Sequence, residues 1–252
     1  MTDVRREVRV FDALETLSEA AAREIVAIAR QSLADRGRFT IALSGGNTPK
    51  RTHQLLAERH RGEIDWTRTD ILFGDERFVP ADDPRSNYRM ARETLLDPAR
   101  IPAEQVHAIP TNVASVAAAS ERYERTLREI LANDHGVAAI DLVLLGVGPD
   151  GHTASLFPGS PALLERERWT RAVDAPTTVQ PAVPRVTVTF PFLSTARNVL
   201  FLVAGEDKRP VLTEILGDAP SARRYPASLV APAGRTLWMI ERAAAPISRH
   251  NA

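Results

Sequence analysis

Along the chain, short apolar runs alternate with stretches in which apolar residues recur at helical spacing. This order predicts βα units around a mostly parallel sheet. Residues 8–11 read as a first strand, after which Leu14, Leu17, Ala21, Ile25 and Ile28 mark one face of a helix that Gly37 closes. Residues 39–43 form the next strand, followed by Ser44, Gly45, Gly46, Asn47, Thr48 and a helix that Pro49 can open. A strand at 69–73 runs into Gly74, Asp75, Glu76 and Arg77. Ser86 is placed to cap a helix reaching Leu96, and Asn112 to cap a longer one with Ala119, Tyr123, Leu127 and Ile130 facing inward. Residues 140–145 are apolar enough for a buried strand, whereas 185–190 alternate as a half-buried strand does. Strands at 199–204 and 235–240 complete the set, with a helix through Leu216 between them.

Residues 170–184, rich in proline and polar groups, read as one long connection. No low-complexity linker interrupts the pattern and no repeat of fixed period occurs, so residues 1–252 are expected to form one domain. Hydrophobic residues make up 44% and charged residues 25%, and no run approaches a membrane span, which excludes a helical membrane protein. The N-terminal residues lack the apolar core of a signal peptide, which predicts a cytoplasmic protein. The absence of cysteine removes disulfides, thiolate metal sites and a cysteine nucleophile together. With zero formal net charge and no basic block, no nucleic-acid partner is expected. Oligomeric state stays open, a monomer included.

Four predicted strands end alike, at Leu43, Phe73, Leu145 and Ala204, each giving way to Ser or Gly and then to polar residues. In a parallel sheet those loops share one edge, where ligands of open α/β sheets bind. Any one of them is equally well a plain turn; together their tips bring Asp, Arg, His and Lys to one place. The Ser44–Gly45–Gly46–Asn47–Thr48 loop suits phosphate, because glycines admit close backbone approach, hydroxyls and amides donate, and a helix N-terminus follows. It lacks the Gly-Lys-Ser/Thr ending of a nucleotide P-loop, and Ala42 spoils a GxSxG nucleophile elbow at Ser44. A ligand-free capped turn is the alternative.

Gly146, Gly148 and Gly151 spell GxGxxG after a strand, and Asp174 lies where a dinucleotide fold places its ribose carboxylate. Pro149, Asp150, His152 and Pro158 crowd that turn, so a nicotinamide cofactor ranks below a sugar phosphate and no cofactor is expected. His152 fits a core histidine or a catalytic one; its glycine-rich setting beside Asp150 favours the second. His53, His60, His107, His135 and His250 show no metal-ligand spacing. Arg77, Arg185 and Lys208 are candidate phosphate partners, although each alone is equally a surface charge. Asp75 and Glu76 serve equally as ligand contacts or as salt-bridge partners holding that edge.

In order, ALSGGNTPK, GDERFVPADDPRSNYRMARETLL, DLVLLGVGPDGHTASLFPG, PRVTVTFPFL and PASLVAP with LWMIERAA resemble the successive motifs of bacterial 6-phosphogluconolactonases over nearly the whole chain. GHTASLFPG is the most specific of them. The resemblance implies a modified Rossmann-like, three-layer α/β/α sandwich, shared with glucosamine-6-phosphate deaminase. It implies hydrolysis of 6-phosphoglucono-δ-lactone to 6-phosphogluconate in the oxidative pentose phosphate pathway, without metal or covalent nucleophile. The family's proposed general base falls on His152 with Asp150 beside it. The phosphate loop falls on Ser44 to Thr48, with Arg77, Arg185 and Lys208 as further contacts. Asn47 stands where the family often has Ser, and Glu241 where Asp is common. Where the related deaminase carries an acidic residue for ring opening this chain has Phe157, which favours the lactonase. A deaminase or a non-catalytic sugar-phosphate sensor are the competing readings.

Overall fold

The structure is a computed structural model and describes residues 6–132, 138–177, 179–217 and 220–247. Its strands and helices alternate as the apolar pattern predicts: β1 (Arg6–Phe11), α1 (Leu14–Arg36), β2 (Phe39–Leu43), α2 (Asn47–Arg59) and β3 (Thr69–Phe73). Next come β4 (Asp75–Arg77), α3 (Asn87–Ala91), α4 (Asp97–Ala99) and α5 (Val116–Leu131), then β5 (Leu142–Leu145), β6 (Thr170–Val173) and β7 (Arg185–Val188). The chain continues through α6 (Phe190–Ser194), β8 (Asn198–Val203) and α7 (Arg209–Leu216) to β9 (Arg235–Glu241).

Six strands form one sheet in the order β1-β9-β8-β5-β2-β3, every neighbouring pair parallel. Helices flank it in a three-layer α/β/α arrangement. The central strands β2 and β5 are buried at every position, because a parallel sheet covered on both faces has no polar side. β1 lies at the edge and carries Arg6, Glu7 and Arg9, charges of the kind that keep an open edge from pairing. Along α1 the residues Leu17, Ala21, Ile25 and Ala29 are fully buried at i, i+4 spacing, and Gly37 ends the helix in the left-handed conformation at φ 74°. No helix among the described residues is long and apolar enough to cross a membrane.

Several expectations need correction. The GDER segment is not a loop: Asp75–Arg77 forms β4 and pairs antiparallel with β7 in a second, three-stranded sheet of order β4-β7-β6. The 170–184 connection contains a strand, β6, and the 185–190 strand stops at Val188 and is buried throughout. Its polar positions are Arg185 and Thr187, which point into the protein, so alternation there does not signal a solvent face. The long helix starts at Val116 with Ser115 as its cap, whose Oγ accepts from Ala118 N at 3.1 Å, rather than at Asn112. Ser86 does cap its helix, accepting from Arg89 N at 3.1 Å, but a π-helical stretch at Arg92–Leu96 separates α3 from α4.

Gly74 joins the two sheets. Its N–H donates to Leu43 O at the end of β2 (2.9 Å), and its carbonyl accepts from Val188 N in β7 (2.9 Å). The chain thereby leaves the parallel sheet at its carboxyl edge and starts β4 above that edge.

On α2, His53 is completely buried, and neither ring nitrogen has a hydrogen-bond partner among the described residues. Burial disfavours the charged imidazole and pulls its pKa from 6.5 to about 4. The unfolded chain therefore binds a proton between those values that the folded chain refuses. His53 costs no stability above pH 6.5 and progressively more as pH falls toward 4, reaching about 3 kcal/mol. Urea denaturation at pH 7 and pH 4.5 checks this: His53→Leu is expected to lose less stability on acidification than the wild type by an amount on that scale.

Candidate functional site

Beyond the carboxyl ends of β2, β5 and β8 lies a cleft of about 640 Å³. All four expected loops reach it. Ser44, Gly45, Gly46, Asn47 and Thr48 line it, together with Asp75, Arg77, His152, Arg185 and Lys208. Of the residues singled out in the sequence, Asp150 does not line the cleft; it sits behind His152.

The first wall is the N-terminus of α2. Gly46 precedes the helix with φ 103°, a conformation that L side chains rarely adopt, and among the described residues no side chain caps the helix. The first amides of α2 are left without a side-chain acceptor at the cleft, an arrangement suited to an anion. Gly45 is required for another reason. A Cβ there would lie 2.0 Å from Oδ1 of Asn87, so the loop touches the buried amide side chain directly.

The second wall is the β4–β7 pair. Alternation along β4 turns Asp75 and Arg77 into the cleft and Glu76 away from it. Glu76 is a structural residue: its carboxylate accepts from Arg77 N, Asn87 N and Tyr88 N at 2.7 Å each and from Ser86 Oγ at 3.0 Å. Burial nevertheless pushes its carboxyl above the ordinary value. Asp75 is buried and bound on both oxygens, accepting from Ser155 Oγ at 2.6 Å and from Asn87 Nδ2 at 3.0 Å. Asp75 thus lines the cleft and, through these hydrogen bonds, ties its walls together.

Arg77 and Arg185 are direct register partners across β4 and β7. Arg77 donates to Arg85 O at 2.6 Å, and Arg185, only 2% exposed, donates to Pro181 O at 2.9 Å. The nearest carboxylate oxygen of Asp75 is 4.0 Å from Arg185, and the Nε atoms of both arginines are buried without a partner among the described residues. Burial pulls Arg185 below its ordinary pKa, and Arg77 adds to that. An anion entering here meets two incompletely paired guanidinium groups. At the remaining side, Lys208 pairs with Asp207, and Glu241 accepts from Gly205 N at 2.9 Å.

The third wall is the turn after β5. Gly148 N donates to His152 O and Gly151 N to Gly148 O, both at 2.9 Å, closing a compact loop instead of opening a helix. Among the described residues no α-helix lies between this turn and β6, and Asp174 is exposed beyond β6, so the GxGxxG pattern here is a turn and not a dinucleotide fingerprint. Within the turn His152 Nδ1 lies 2.6 Å from Asp150 Oδ1, which also accepts from His152 N at 3.1 Å. Burial alone would raise the Asp150 carboxyl, but the hydrogen bond and charge of His152 outweigh it and hold the group below its ordinary value. Among the described residues, His152 Nε2 has no hydrogen-bond partner. Phe157 packs on the imidazole with ring centroids 4.8 Å apart and lies under the Arg185 guanidinium at 5.3 Å.

Sequence reasoning missed Asn87, Ser155 and Gln180. Asn87 and Ser155 sit inside motifs quoted for the resemblance, but nothing local shows that they converge on Asp75. Gln180 and its neighbour Val179 reach the cleft from the connection between β6 and β7. Of the other histidines, His60 pairs with Glu63 and His107 with Asp70, while His135 and His250 lie outside the described residues. Among the described residues no three potential metal ligands cluster.

Fold and cleft define an α/β protein with a ligand site at the carboxyl edge of a parallel sheet. The chain belongs to the glucosamine-6-phosphate isomerase/6-phosphogluconolactonase family, whose model matches residues 12–238. It is 40% identical to a 6-phosphogluconolactonase of Nostoc sp., over 84% of this chain and 86% of that protein. It is 39% identical to the 6-phosphogluconolactonase of Rattus norvegicus, over 97% and 96%. Among solved structures, the 6-phosphogluconolactonase of Trypanosoma brucei superposes with a TM-score of 0.80 at 33% identity, covering 96% of this chain and 98% of that one. A monomeric glucosamine-6-phosphate deaminase shares the fold, with a TM-score of 0.79 at 21% identity over 94% and 98%.

The geometry of the third wall is tested by one added methyl group. A Cβ at Gly148 would lie 2.1 Å from His152 Nδ1 and 2.7 Å from Asp150 Oδ1. Gly148→Ala is therefore expected to separate the pair and return Asp150 toward an ordinary carboxyl titration, read by carbon-detected NMR. An unaltered Asp150 titration in a folded Gly148→Ala variant would contradict the contact.

Proposed function

We propose that this protein hydrolyses 6-phospho-D-glucono-1,5-lactone to 6-phosphogluconate, the lactonase step of the oxidative pentose phosphate pathway. The observation that carries the reading is the meeting, in one cleft, of an anion-suited helix terminus with Arg185 and Lys208 and of a carboxylate-backed imidazole whose Nε2 is unpaired. Membership of the family and the similarity to 6-phosphogluconolactonases support it.

In this reading the phosphate binds the α2 amides, Ser44 and Thr48, with Arg185 and Lys208 supplying charge. Lys208 exchanges Asp207 for the phosphate. Anchoring the phosphate presents the lactone C1 to His152, converting encounter into a positioned reaction. Asp150 accepts the Nδ1 proton of a neutral imidazole and so leaves the Nε2 lone pair for water. As the water oxygen bonds to C1, Nε2 takes its proton, and the carbonyl electrons move to the oxygen. Arg77 and the loop amides stabilise that oxyanion. Its collapse breaks the bond between C1 and the ring oxygen, which leaves as a hydroxyl with the proton from Nε2. The carboxylic acid formed then ionises.

The deaminase reading asks for an acidic side chain where Phe157 stands. Here that position is an apolar ring against the imidazole, which favours ester hydrolysis.

The test is hydrolysis of the lactone measured above its spontaneous rate. Wild type is expected to accelerate it, and His152→Ala to lose about 100- to 10,000-fold in kcat, the usual contribution of a general base. Full activity in His152→Ala would remove the general-base role. A wild type that adds nothing to the spontaneous rate would remove the lactonase reading, and ammonia release from glucosamine 6-phosphate would replace it with the deaminase.

A further inference from the structure

Between Asp150 and His152 stands Gly151, with φ 79°. A side chain from a distant part of the chain is pressed against it. A Cβ on Gly151 would lie 2.4 Å from Cδ1, 2.7 Å from Cβ and 2.8 Å from Cγ of Tyr225, so the Tyr225 ring rests directly on the Gly151 backbone. Two residues on, Ala227 N donates to Gly151 O at 3.0 Å. The turn that carries the imidazole is thus held from outside by a ring on its Cα and by a hydrogen bond on its carbonyl.

Tyr225 is itself fixed. Its hydroxyl donates to Glu214 Oε1 on α7 at 3.0 Å and accepts from Arg224 Nη2 at 2.6 Å, while the Arg224 guanidinium lies 4.8 Å from the ring centroid. Arg224 also bonds Glu214 at 2.7 Å, closing a three-residue cluster. α7 follows directly on Lys208, the cleft cation. A chain of contacts therefore runs from Lys208 along α7 to Glu214, through the phenol of Tyr225, to the Gly151 turn and His152. Tyr225 does not line the cleft, so it acts on a ligand only through that turn.

We infer that Tyr225 is a positioning residue for the Asp150–His152 pair, holding the Gly151 turn in register with the helix that follows Lys208. The inference rests on the proposed role of His152. The physical basis is that glycine at positive φ has the widest conformational freedom of any residue, so its geometry must be imposed by what packs on it. An ordering contact of this kind lets a small displacement at a remote residue cost up to about 100-fold in rate.

The test compares Tyr225→Ala and Tyr225→Leu, which remove the flat ring, with Tyr225→Phe, which keeps it. Two readouts are taken: the titration of the Asp150 carboxyl by NMR in the ligand-free protein, which the His152 contact holds below its ordinary value, and kcat and KM for the lactone. Asp150 touches the imidazole, Arg185 lies beyond Phe157, and Asp75, Arg77, Lys208 and Glu241 line the same cleft, none of which these variants alter. In the Ala and Leu variants the Asp150 carboxyl is expected to rise toward its ordinary value and kcat to fall about 10- to 100-fold, with KM changed less than about 2-fold. Tyr225→Phe keeps the ring on Gly151 but loses the hydroxyl bond to Glu214, so both are expected to move less than in the Ala and Leu variants. An Asp150 titration that superimposes on wild type in folded Ala or Leu variants overturns the inference. So does a displaced titration with unchanged kcat. If wild type hydrolyses no lactone, the proposed function fails, while the titration still decides whether Tyr225 sets the pair.

Discussion

The cleft depends on one buried carboxylate. Asp75 stands where the chain leaves the parallel sheet, and its oxygens bind Ser155 of the β5 loop and Asn87 of α3. Asn87 in turn presses on Gly45 of the α2 loop, and Arg185 of β7 faces the same carboxylate. One group thus joins four segments that share no local sequence. A buried carboxylate is costly unless its lone pairs are used, and here both oxygens are. That cost makes the network specific: any arrangement of the four segments that unpairs Asp75 is penalised.

Around this knot the site divides its labour between backbone and side chains. At Gly45 and Gly151 the missing Cβ admits a neighbouring side chain, Asn87 or Tyr225, against the main chain, and at Gly148 the histidine of the turn itself. These glycines are therefore packing positions as much as turns. Positive charge at the site is only partly compensated within the protein. Arg185 is almost fully buried and held to a carbonyl, with its nearest carboxylate 4.0 Å away. Such a guanidinium gains more from a bound anion than a solvated one, because little water competes for it.

Much of the fold was legible along the chain. Strands β2, β3, β5, β8 and β9 are near-continuous apolar runs, and burial on both faces of a parallel sheet requires such runs. Less legible were β4 and β6, of three and four residues, because short strands carry too few positions for a period to emerge. β7 misled for a different reason. Its Arg185 and Thr187 look like a solvent face but are buried against Asp75 and Ser155, so a polar residue signalled an internal network. Asn87 was invisible as a site residue because its partners are Asp75, twelve residues back, and the Gly45 backbone.

The sequence by itself determined the βα order, the shared edge on which the loops converge, and the residue types at their tips. These follow from local rules: apolar periodicity sets element type, and right-handed parallel connections place successive strand ends on one side. It also determined that Asp150 and His152 meet, since residues two apart in a tight glycine turn have little choice. Tertiary structure alone decided that Asp75 and Arg77 belong to a strand and not a loop, that Asp150 stands behind the imidazole, and that Tyr225 rests on Gly151. Those facts depend on contacts between segments 74 to 108 residues apart, such as Arg77 with Arg185 and Gly151 with Tyr225. No local propensity encodes such contacts; they are set by which buried groups find partners once the sheet has formed.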